Sequence, residues 1–335
     1  GGNSNALTVT VTDVINLRTD GVTVLDAAVL DPGPAAEVIR NVGETGTEIA
    51  TSSNGVFNDA ENVYNLTYTG EGTAETDAEL NSFVGNLSVE SDATAELDAS
   101  YEIQDTLSVA GRIDENGGTR TLTLPADSAE HSVTGRVEGD NNAVTLQVDG
   151  TGAVVAGTSN PQLDGTSGVA RVENFVANDE GVVVENLHEI GGTVDVNADI
   201  VTQDTTITPS LTLGLADDQA IGGTLTANNA LTLASDATVS SDVNVNTAND
   251  GENGSIAFGE SELAITGPNA FSGEDGATYT ADGGGALVFD DDSNVQGFGT
   301  SGEAIPNVEV YQGISANVQG IALTDSAATS NSLEV

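Results

Sequence analysis

The sequence predicts an all-β fold, either a β-solenoid of the parallel β-helix kind or β-sandwich modules, with very little helix. Short apolar runs alternate with polar residues, as in Leu7–Val11, which is the pattern of half-buried strands. Gly, Asp, Asn and Ser separate these runs along the whole chain, and these residues favour turns. Apolar positions also recur at intervals of 20 between residues 210 and 270, a spacing typical of stacked solenoid coils.

Residues 1–84 are predicted to form an N-terminal β-rich domain. The runs Leu7–Val11 and Val22–Leu30 predict two strands, and Asp20 followed by Gly21 predicts a turn between them. Pro34 is suited to the first position of a helix, so a short helix is expected up to Arg40. A second helix candidate covers residues 74–83.

Residues 85–304 are predicted to form a solenoid or sandwich body, and the sequence leaves these two architectures open. The 20-residue spacing favours the solenoid. It relates Leu211 to Leu231, Leu213 to Leu233, Val243 to Leu263, and the series Leu225, Val245, Ile265. The segments Gly222–Thr226 and Asn253–Ala257 resemble turns of secreted β-helices such as bacterial autotransporter passenger domains, a resemblance that implies a solenoid.

Residues 305–335 are predicted to form closing strands and a polar tail. Pro306 interrupts the preceding pattern, and the runs Val308–Tyr311 and Ile321–Leu323 then read as two strands.

Charge is the strongest compositional signal. The chain has 53 carboxylates against six basic residues, all arginine, and a formal net charge of −47. Such a chain repels itself in dilute buffer. At 1 M salt the Debye length is roughly 3 Å, and the repulsion is largely screened. With its lysine-free surface and its Ala, Val, Thr and Gly, the composition resembles proteins of extremely halophilic archaea and their viruses, which implies folding in molar salt.

The same composition excludes several functions. The absence of cysteine rules out disulfides and thiolate chemistry, and the absence of lysine rules out Schiff bases. Nucleic acid is not expected as a partner, because binding it requires cations to displace phosphate counterions. No apolar run of 18 residues occurs, so no membrane span is expected. The chain opens at Gly1 without methionine, which predicts a processed product at an extracellular, cell-surface or virion location.

No catalytic constellation stands out, so the protein is predicted not to be an enzyme. His131 and His188 lack the spacing of a zinc motif, and each is expected to be a surface residue or a hydrogen-bonded strand residue. No cofactor is required. The oxygens of Asp290, Asp292 and Asn294 alternate as at the start of a calcium loop, so this loop is the candidate site for Ca²⁺ or Na⁺. Val295 stands where that loop needs glycine.

Two further sets of residues are candidates for surface roles. Leu7, Val9 and Val11 form a terminal strand with a period of two, which could complete the sheet of a neighbouring molecule or pair within its own domain. Asn65, Asn86 and Asn253 each begin an Asn-x-Ser/Thr sequon and are candidate N-glycosylation sites.

Together these observations predict a structural subunit that binds copies of itself in an extracellular surface structure of an extreme halophile, such as a pilus-like fibre or a coat. Two alternatives remain open. A structural protein of a haloarchaeal virus needs the same surface chemistry, and a carbohydrate-binding adhesin would need an aromatic platform that the five scattered tyrosines do not suggest.

Overall fold

The computed structural model describes a chain made of short strands. The described residues are 7–17, 20, 22–25, 28–44, 47–51, 55–58, 60–75, 83–139, 143–157, 170–187, 189–197, 200–201, 206–207, 209–215, 220–246, 254–266, 270–273, 276–281, 284–289, 293–296, 307–310, 316–319 and 332–334. No helix occurs among them, and no helix in these ranges could therefore span a membrane.

Most of the 41 strands in the described ranges have two to five residues. In the first half they are β1 (Leu7–Val11), β2 (Val14–Leu17), β3 (Val22–Val24), β4 (Ala28–Pro32), β5 (Glu37–Asn41), β6 (Ile49–Thr51), β7 (Val56–Phe57), β8 (Tyr64–Thr69), β9 (Gly72–Glu75), β10 (Val84–Val89), β11 (Ala93–Leu97), β12 (Tyr101–Glu102), β13 (Leu107–Val109), β14 (Arg112–Glu115), β15 (Arg120–Leu124), β16 (Glu130–Val133), β17 (Arg136–Val137), β18 (Val144–Val148), β19 (Val154–Ala156) and β20 (Arg171–Val172). In the second half they are β21 (Asn174–Ala177), β22 (Val182–Leu187), β23 (Glu189–Ile190), β24 (Val194–Val196), β25 (Ile200–Val201), β26 (Thr206–Ile207), β27 (Ser210–Leu215), β28 (Ala220–Ile221), β29 (Leu225–Ala227), β30 (Ala230–Leu233), β31 (Ala237–Val239), β32 (Val243–Val245), β33 (Ser255–Ala257), β34 (Glu262–Ile265), β35 (Ala270–Gly273), β36 (Thr278–Thr280), β37 (Ala286–Phe289), β38 (Ser293–Gln296), β39 (Asn307–Val310), β40 (Ala316–Gln319) and β41 (Ser332–Glu334).

These strands form three long parallel sheets. Sheet 1 has 12 strands and runs from β2 to β36, sheet 2 has 12 and runs from β9 to β41, and sheet 3 has 10 and runs from β12 to β40. Apart from β25 and β26, consecutive strands lie in different sheets and pair with strands of the neighbouring coils. The first coils form the smaller parallel sheets β1-β4-β7 and β3-β6, and β25 and β26 make an antiparallel pair. The all-β prediction is therefore confirmed, and of its two architectures the structure is the β-solenoid.

The core is a set of aliphatic columns running along the solenoid. In sheet 1 the register places Val38 between Ile15 and Leu66, and Leu66 beside Leu87. All four are buried. Because side chains alternate across a strand, every second residue enters such a column while its neighbours face outward. This explains how a chain with 38% apolar residues still fills a continuous core.

Side-chain amides stack in the same way at the turn that follows sheet 3. The Nδ2 of Asn178 donates to Oδ1 of Asp149 at 2.8 Å, and Asn197 donates in turn to Asn178. Two coils on, Nδ2 of Asn246 donates to Oδ1 of Asn228 at 2.8 Å. Each position directly follows a sheet 3 strand. Such ladders satisfy polar groups that the stacking of coils removes from water.

The 20-residue spacing is correct only in part. Leu211 pairs with Leu231, and Leu213 with Leu233, as predicted. The relation of Val243 to Leu263 is wrong, because Val243 pairs with Phe271 in sheet 3 and Leu263 pairs with Ala237 in sheet 2.

The series of Leu225, Val245 and Ile265 is also wrong, since Leu225 pairs with Val243. Coils differ in length because their turns differ. Hydrogen-bonded positions on adjacent coils are 20 residues apart at Leu215 and Ser235 but 29 apart at Asp149 and Asn178. One fixed interval therefore cannot follow the stack.

The predicted helix from Pro34 to Arg40 is wrong. Pro34 lies in a turn in which Ala35 has φ 59°, and strand β5 begins at Glu37. Short isolated helices are marginal in water, whereas β5 pairs along its whole length with β8 and so gains ladder bonds and burial of Val38. The second predicted helix, residues 74–83, does not begin at Ala74, because Ala74 lies in strand β9. Residues 76–82 lie outside the described residues.

The predicted domain boundaries, near residues 84 and 305, lie within continuous parallel sheets. Residues 84 and 85 both belong to β10, which pairs with β8 on one side and β13 on the other. Sheet 2 continues from β37 through β39 to β41, across residue 305. The division into three domains itself stays a prediction.

Glycines at the corner between sheets 1 and 2 permit close stacking of coils. A Cβ on Gly135 would lie 2.0 Å from the carbonyl oxygen of Gly111 and 2.5 Å from that of Ala110. We expect Gly135→Ala to lower the free energy of unfolding by about 1–3 kcal/mol, because backbone must shift to admit the methyl group. Urea unfolding in molar salt measures this. Gly214→Ala is the matched control, since its Cβ would come no closer than 3.1 Å to Val184 O; equal losses in both variants would contradict the expectation.

Candidate functional site

The N-terminal end of the solenoid exposes the strand predicted to mediate assembly. Leu7, Val9 and Val11 lie in β1, the end strand of the sheet β1-β4-β7. β2 and β3 are likewise end strands of their sheets, so no described strand pairs with the outer edge of this coil. Four of the five residues of β1 are exposed, on both faces of the strand.

One of the exposed apolar side chains at this end, that of Val9, continues the interior of the solenoid. Val9 is in register with Leu30, and Leu30 with Phe57, so the three form one column. Exposure falls along it from 43% at Val9 to 9% at both Leu30 and Phe57. Val9 is thus a core position that no further described coil covers. The exposed large hydrophobic residues of the described chain all lie between residues 7 and 63: Leu7, Val9, Val14, Leu25, Val56 and Val63.

The orientation of the β1 backbone identifies its free edge. The carbonyl oxygen of Val11 accepts the Gly33 N–H on the β4 side at 2.6 Å. Because the N–H and C=O groups of successive residues point to opposite sides of a strand, those of Thr8 and Thr10 point away from β4. They are the groups that an added strand would meet.

A second feature, which sequence reasoning missed, is a ladder of arginines on the outer face of sheet 2. Arg112 is in register with Arg136, and Arg136 with Arg171, on three successive coils. Half of the arginines of the chain thus lie in one row. Each arginine immediately precedes a fully buried aliphatic residue. Because successive side chains of a strand point to opposite faces, the arginine side chains point outward.

Carboxylates neutralise this arginine ladder. Nη2 of Arg112 lies 2.8 Å from Asp114, and Nη1 of Arg136 lies 2.9 Å from Glu138. Arg171 lies 3.1 Å from Glu138 and 3.5 Å from Glu189. Unit charges about 4.8 Å apart repel by about 1 kcal/mol in water and about 3 kcal/mol at an effective dielectric of 20. The ion pairs offset that repulsion.

Burial also changes the titration of this cluster. Desolvation raises the pKa of Asp114 to about 6, with a further contribution from its hydrogen-bonded neighbour Glu115, and the attraction of Arg112 opposes the rise. Shifted pKa values are common at functional sites, and structural ion-pair networks such as this one produce them as well.

A small cavity of about 180 Å³ opens at the N-terminal end of the arginine ladder. Its walls include the Arg112 and Arg136 side chains, together with Ser91, Asp92 and Thr94. The Nε atoms of both arginines are shielded from solvent and have no hydrogen-bond acceptor in the described structure.

The predicted metal site falls mostly outside the described residues. Asp290 and Asp292 are among the undescribed positions, and Asn294 lies in β38, where it pairs with Ala270 and Asn317. Within the described ranges, no group of three or more His, Asp or Glu side chains is placed to share a metal ion. The proposed Ca²⁺ or Na⁺ site stays a prediction.

Two of the three sequons lie on adjacent coils and contact each other. Asn65 is in β8 and Asn86 in β10, and Nδ2 of Asn86 donates to Oδ1 of Asn65 at 2.8 Å. Thr106 donates to Oδ1 of Asn86. A glycan on Asn86 would replace one hydrogen of the Nδ2 that makes this contact. Asn253 lies outside the described residues.

His131 is a strand residue inside the core. It is 1% exposed in β16 and is in register with Val155, and its Nδ1 accepts the Leu107 N–H at 3.2 Å. Desolvation lowers its pKa to about 4. Nε2 has no partner among the described residues. His188 lies outside them.

Together, the fold and these sites define the class of the protein: a parallel β-solenoid with an open apolar N-terminal coil and an outward arginine ladder. No protein-family model matches the chain, and no curated protein or solved structure matches it either.

Proposed function

We propose that this chain is a non-enzymatic structural subunit that self-assembles into an extracellular surface structure, a filament or coat, of an extreme halophile. The observation that supports it is the uncovered core column at the N-terminal coil, where Val9 continues the buried line of Leu30 and Phe57. Terminal repeats of a solenoid need a polar outer face to stay soluble. In the first described coil Leu7 and Val9 are exposed beside strand edges that pair with no described strand, which favours an added coil as their cover.

A second copy of the chain is the occupant that fits this end. The two ends of a parallel solenoid differ, because one exposes its first coil and the other its last. Contact between unlike ends is heterologous, and it generates an open polymer when its rotation does not close. Added strands would continue the sheets in the parallel sense they already have.

Electrostatics makes this assembly conditional on salt. Two copies that each carry −47 repel strongly in dilute buffer, while at 1 M salt the Debye length of roughly 3 Å is shorter than the distance between adjacent strands. Electrostatic repulsion between the copies then opposes the apolar contact only weakly. The same property would confine assembly to a hypersaline exterior.

The first test is electron microscopy of the protein in molar salt, before and after dialysis to low salt. We expect ordered filaments or sheets at high salt only. Closed rings with defined rotational symmetry would favour the virion alternative. A monomer that persists at high concentration in molar salt would contradict the proposal.

A single substitution can test whether the β1 edge is the contact. Thr10→Pro removes an N–H that points away from β4, so β1 itself should remain paired while an added strand loses a hydrogen bond and meets the proline ring. We expect filaments to disappear, with unfolding by urea unchanged within about 0.5 kcal/mol. Thr10→Ala keeps the N–H and is the matched control. Filaments of normal length from Thr10→Pro would exclude β1 as the contact.

A further inference from the structure

The cavity between Arg112 and Arg136 has the features of a binding site for an oxyanion. Each guanidinium uses one Nη for a carboxylate, Asp114 or Glu138, and no described group accepts from its other Nη. Both residues line one cavity, on adjacent strands paired in register. The solvent-shielded Nε atoms cannot reach a ligand in this cavity, which leaves the free Nη groups as its donors.

Guanidinium geometry indicates which kind of partner fits. Two guanidinium groups that each offer one Nη can bind two oxygens of a carboxylate or a sulfate through charge-assisted hydrogen bonds. A cavity of about 180 Å³ is smaller than the roughly 300–1,000 Å³ of sites that enclose whole cofactors. It therefore suits one acidic substituent or one small ring, and not a large ligand.

The remaining walls select for hydroxyl groups beside that acidic group. Asp92 lines the cavity and would repel a bare anion, yet its carboxylate accepts hydrogen bonds from hydroxyls. Ser91 and Thr94 add hydroxyls that both donate and accept. A saccharide that carries a carboxylate or a sulfate presents both chemistries at once.

From these contacts we propose that the cavity between Arg112 and Arg136 binds the carboxylate or sulfate group of an acidic saccharide. The inference is independent of self-assembly, because the site lies on the outer face of sheet 2 and not on the β1 edge. It gives the arginine ladder a role in a chain that otherwise carries few cations.

The test uses the low arginine content of the whole chain. Protein labelled with ¹⁵N-arginine gives six Nε–H signals, which are followed during titration in molar sodium chloride at constant ionic strength. The probes are glucuronate, glucose 6-sulfate, inorganic sulfate and uncharged glucose. We expect saturable shifts of the Arg112 and Arg136 signals with both acidic sugars, weaker binding of inorganic sulfate, and none with glucose.

Variants identify the groups responsible. Arg136→Gln should weaken binding of glucuronate roughly ten- to hundredfold, the usual loss for a charge-assisted hydrogen bond. Arg120→Gln is the matched control and should bind as the parent does, because Arg120 lies in sheet 3 and donates to the carbonyls of Asn116 and Gly117. Asp92→Asn leaves both arginines in place and should tighten binding of inorganic sulfate, since it removes a repelling charge.

Several results would overturn the proposal. These are shifts that never saturate, equal shifts of all six signals, or unchanged binding in Arg136→Gln. Inorganic sulfate that binds as tightly as the acidic sugars would reject the saccharide and leave a simple anion site. If Arg136→Gln fails to fold, the Asp92→Asn result decides, and no gain in sulfate binding there would count against the site.

Discussion

Replacing His131 by glutamine is expected to remove about 3 kcal/mol of the stability that the fold loses between about pH 7.5 and about pH 4. Burial lowers the pKa of His131 from 6.5 to about 4. In the unfolded chain the imidazole takes up its proton near pH 6.5, but in the folded chain it resists until about pH 4. The protonation of His131 therefore does not affect the free energy of unfolding above about pH 7. It lowers this free energy progressively as the pH falls from about 7 to about 4.

Glutamine is the informative replacement because it does not titrate and keeps a side-chain oxygen that can accept a hydrogen bond. Urea unfolding of both proteins in molar salt, at steps between about pH 7.5 and about pH 4, measures the difference. His131→Leu is a second variant that removes the acceptor as well, so it should lose stability at every pH relative to glutamine.

Two half-buried carboxyl groups act in the opposite direction. Desolvation raises the pKa of Asp114 to about 6 and raises the pKa of Asp195. The pKa of Asp114 is higher in the folded than in the unfolded chain, where it is 3.8. The carboxyl therefore makes its full contribution to the free energy of unfolding below pH 3.8, and this contribution is lost as the pH rises through the folded pKa. Acidification thus stabilises through Asp114 while it destabilises through His131, and the parent protein alone shows only the sum. The difference between parent and variant isolates the histidine.

The spectrum of His131 provides an independent check. The chain contains two histidines, so its imidazole signals are simple to assign by substitution. We expect the His131 signal to stay in the neutral position down to nearly pH 4. An imidazole that titrates near 6.5, or a glutamine variant that loses stability with acid as steeply as the parent, would contradict the buried assignment.

Much of the fold could be predicted because strand periodicity is a local property. Alternation predicted strands in Leu7–Val11 and in Leu211–Leu215. In the second strand the alternating leucines are the buried residues, and Leu211 and Leu213 pair as the 20-residue spacing predicts. The spacing failed at Val243 because register depends on turn lengths elsewhere in the coil, which no local pattern records. The helix at Pro34 failed for a related reason: pairing with β8 outweighs a weak local preference.

The arginine ladder needed the coil register before it could be recognised. Arg112, Arg136 and Arg171 are separated by unequal intervals, so they look scattered in the sequence. A signal was present in the repeated pattern of arginine followed by Ile113, Val137 or Val172, since that pair marks the start of a sheet 2 strand each time. The β1 strand, in contrast, was found from alternation alone, although only the structure places Val9 at the open end of a core column.

Transfer of the protein from molar salt to dilute buffer is expected to unfold it, and the solenoid itself explains why the effect should be large. Because the coils stack in register, like charges on adjacent coils are held about 4.8 Å apart. They cannot move apart without breaking the backbone hydrogen bonds between the strands. Glu75, Glu96 and Asp114 occupy such a row on sheet 2. At 1 M salt the Debye length is roughly 3 Å, but at 0.01 M it is roughly 30 Å, so the row and the whole charge of −47 then repel.

A substitution in the middle of that row separates local stacking from total charge. Glu96→Gln removes repulsion toward both neighbours, and we expect it to raise the free energy of unfolding by about 1 kcal/mol at low salt and by much less in molar salt. Glu130→Gln changes the net charge equally but stacks on Val154, so it is the matched control. Urea unfolding across a salt series gives both values. If the two variants respond alike, net charge alone sets the salt requirement; if Glu96→Gln gains more, the in-register stacking of carboxylates is what ties this fold to a saline medium.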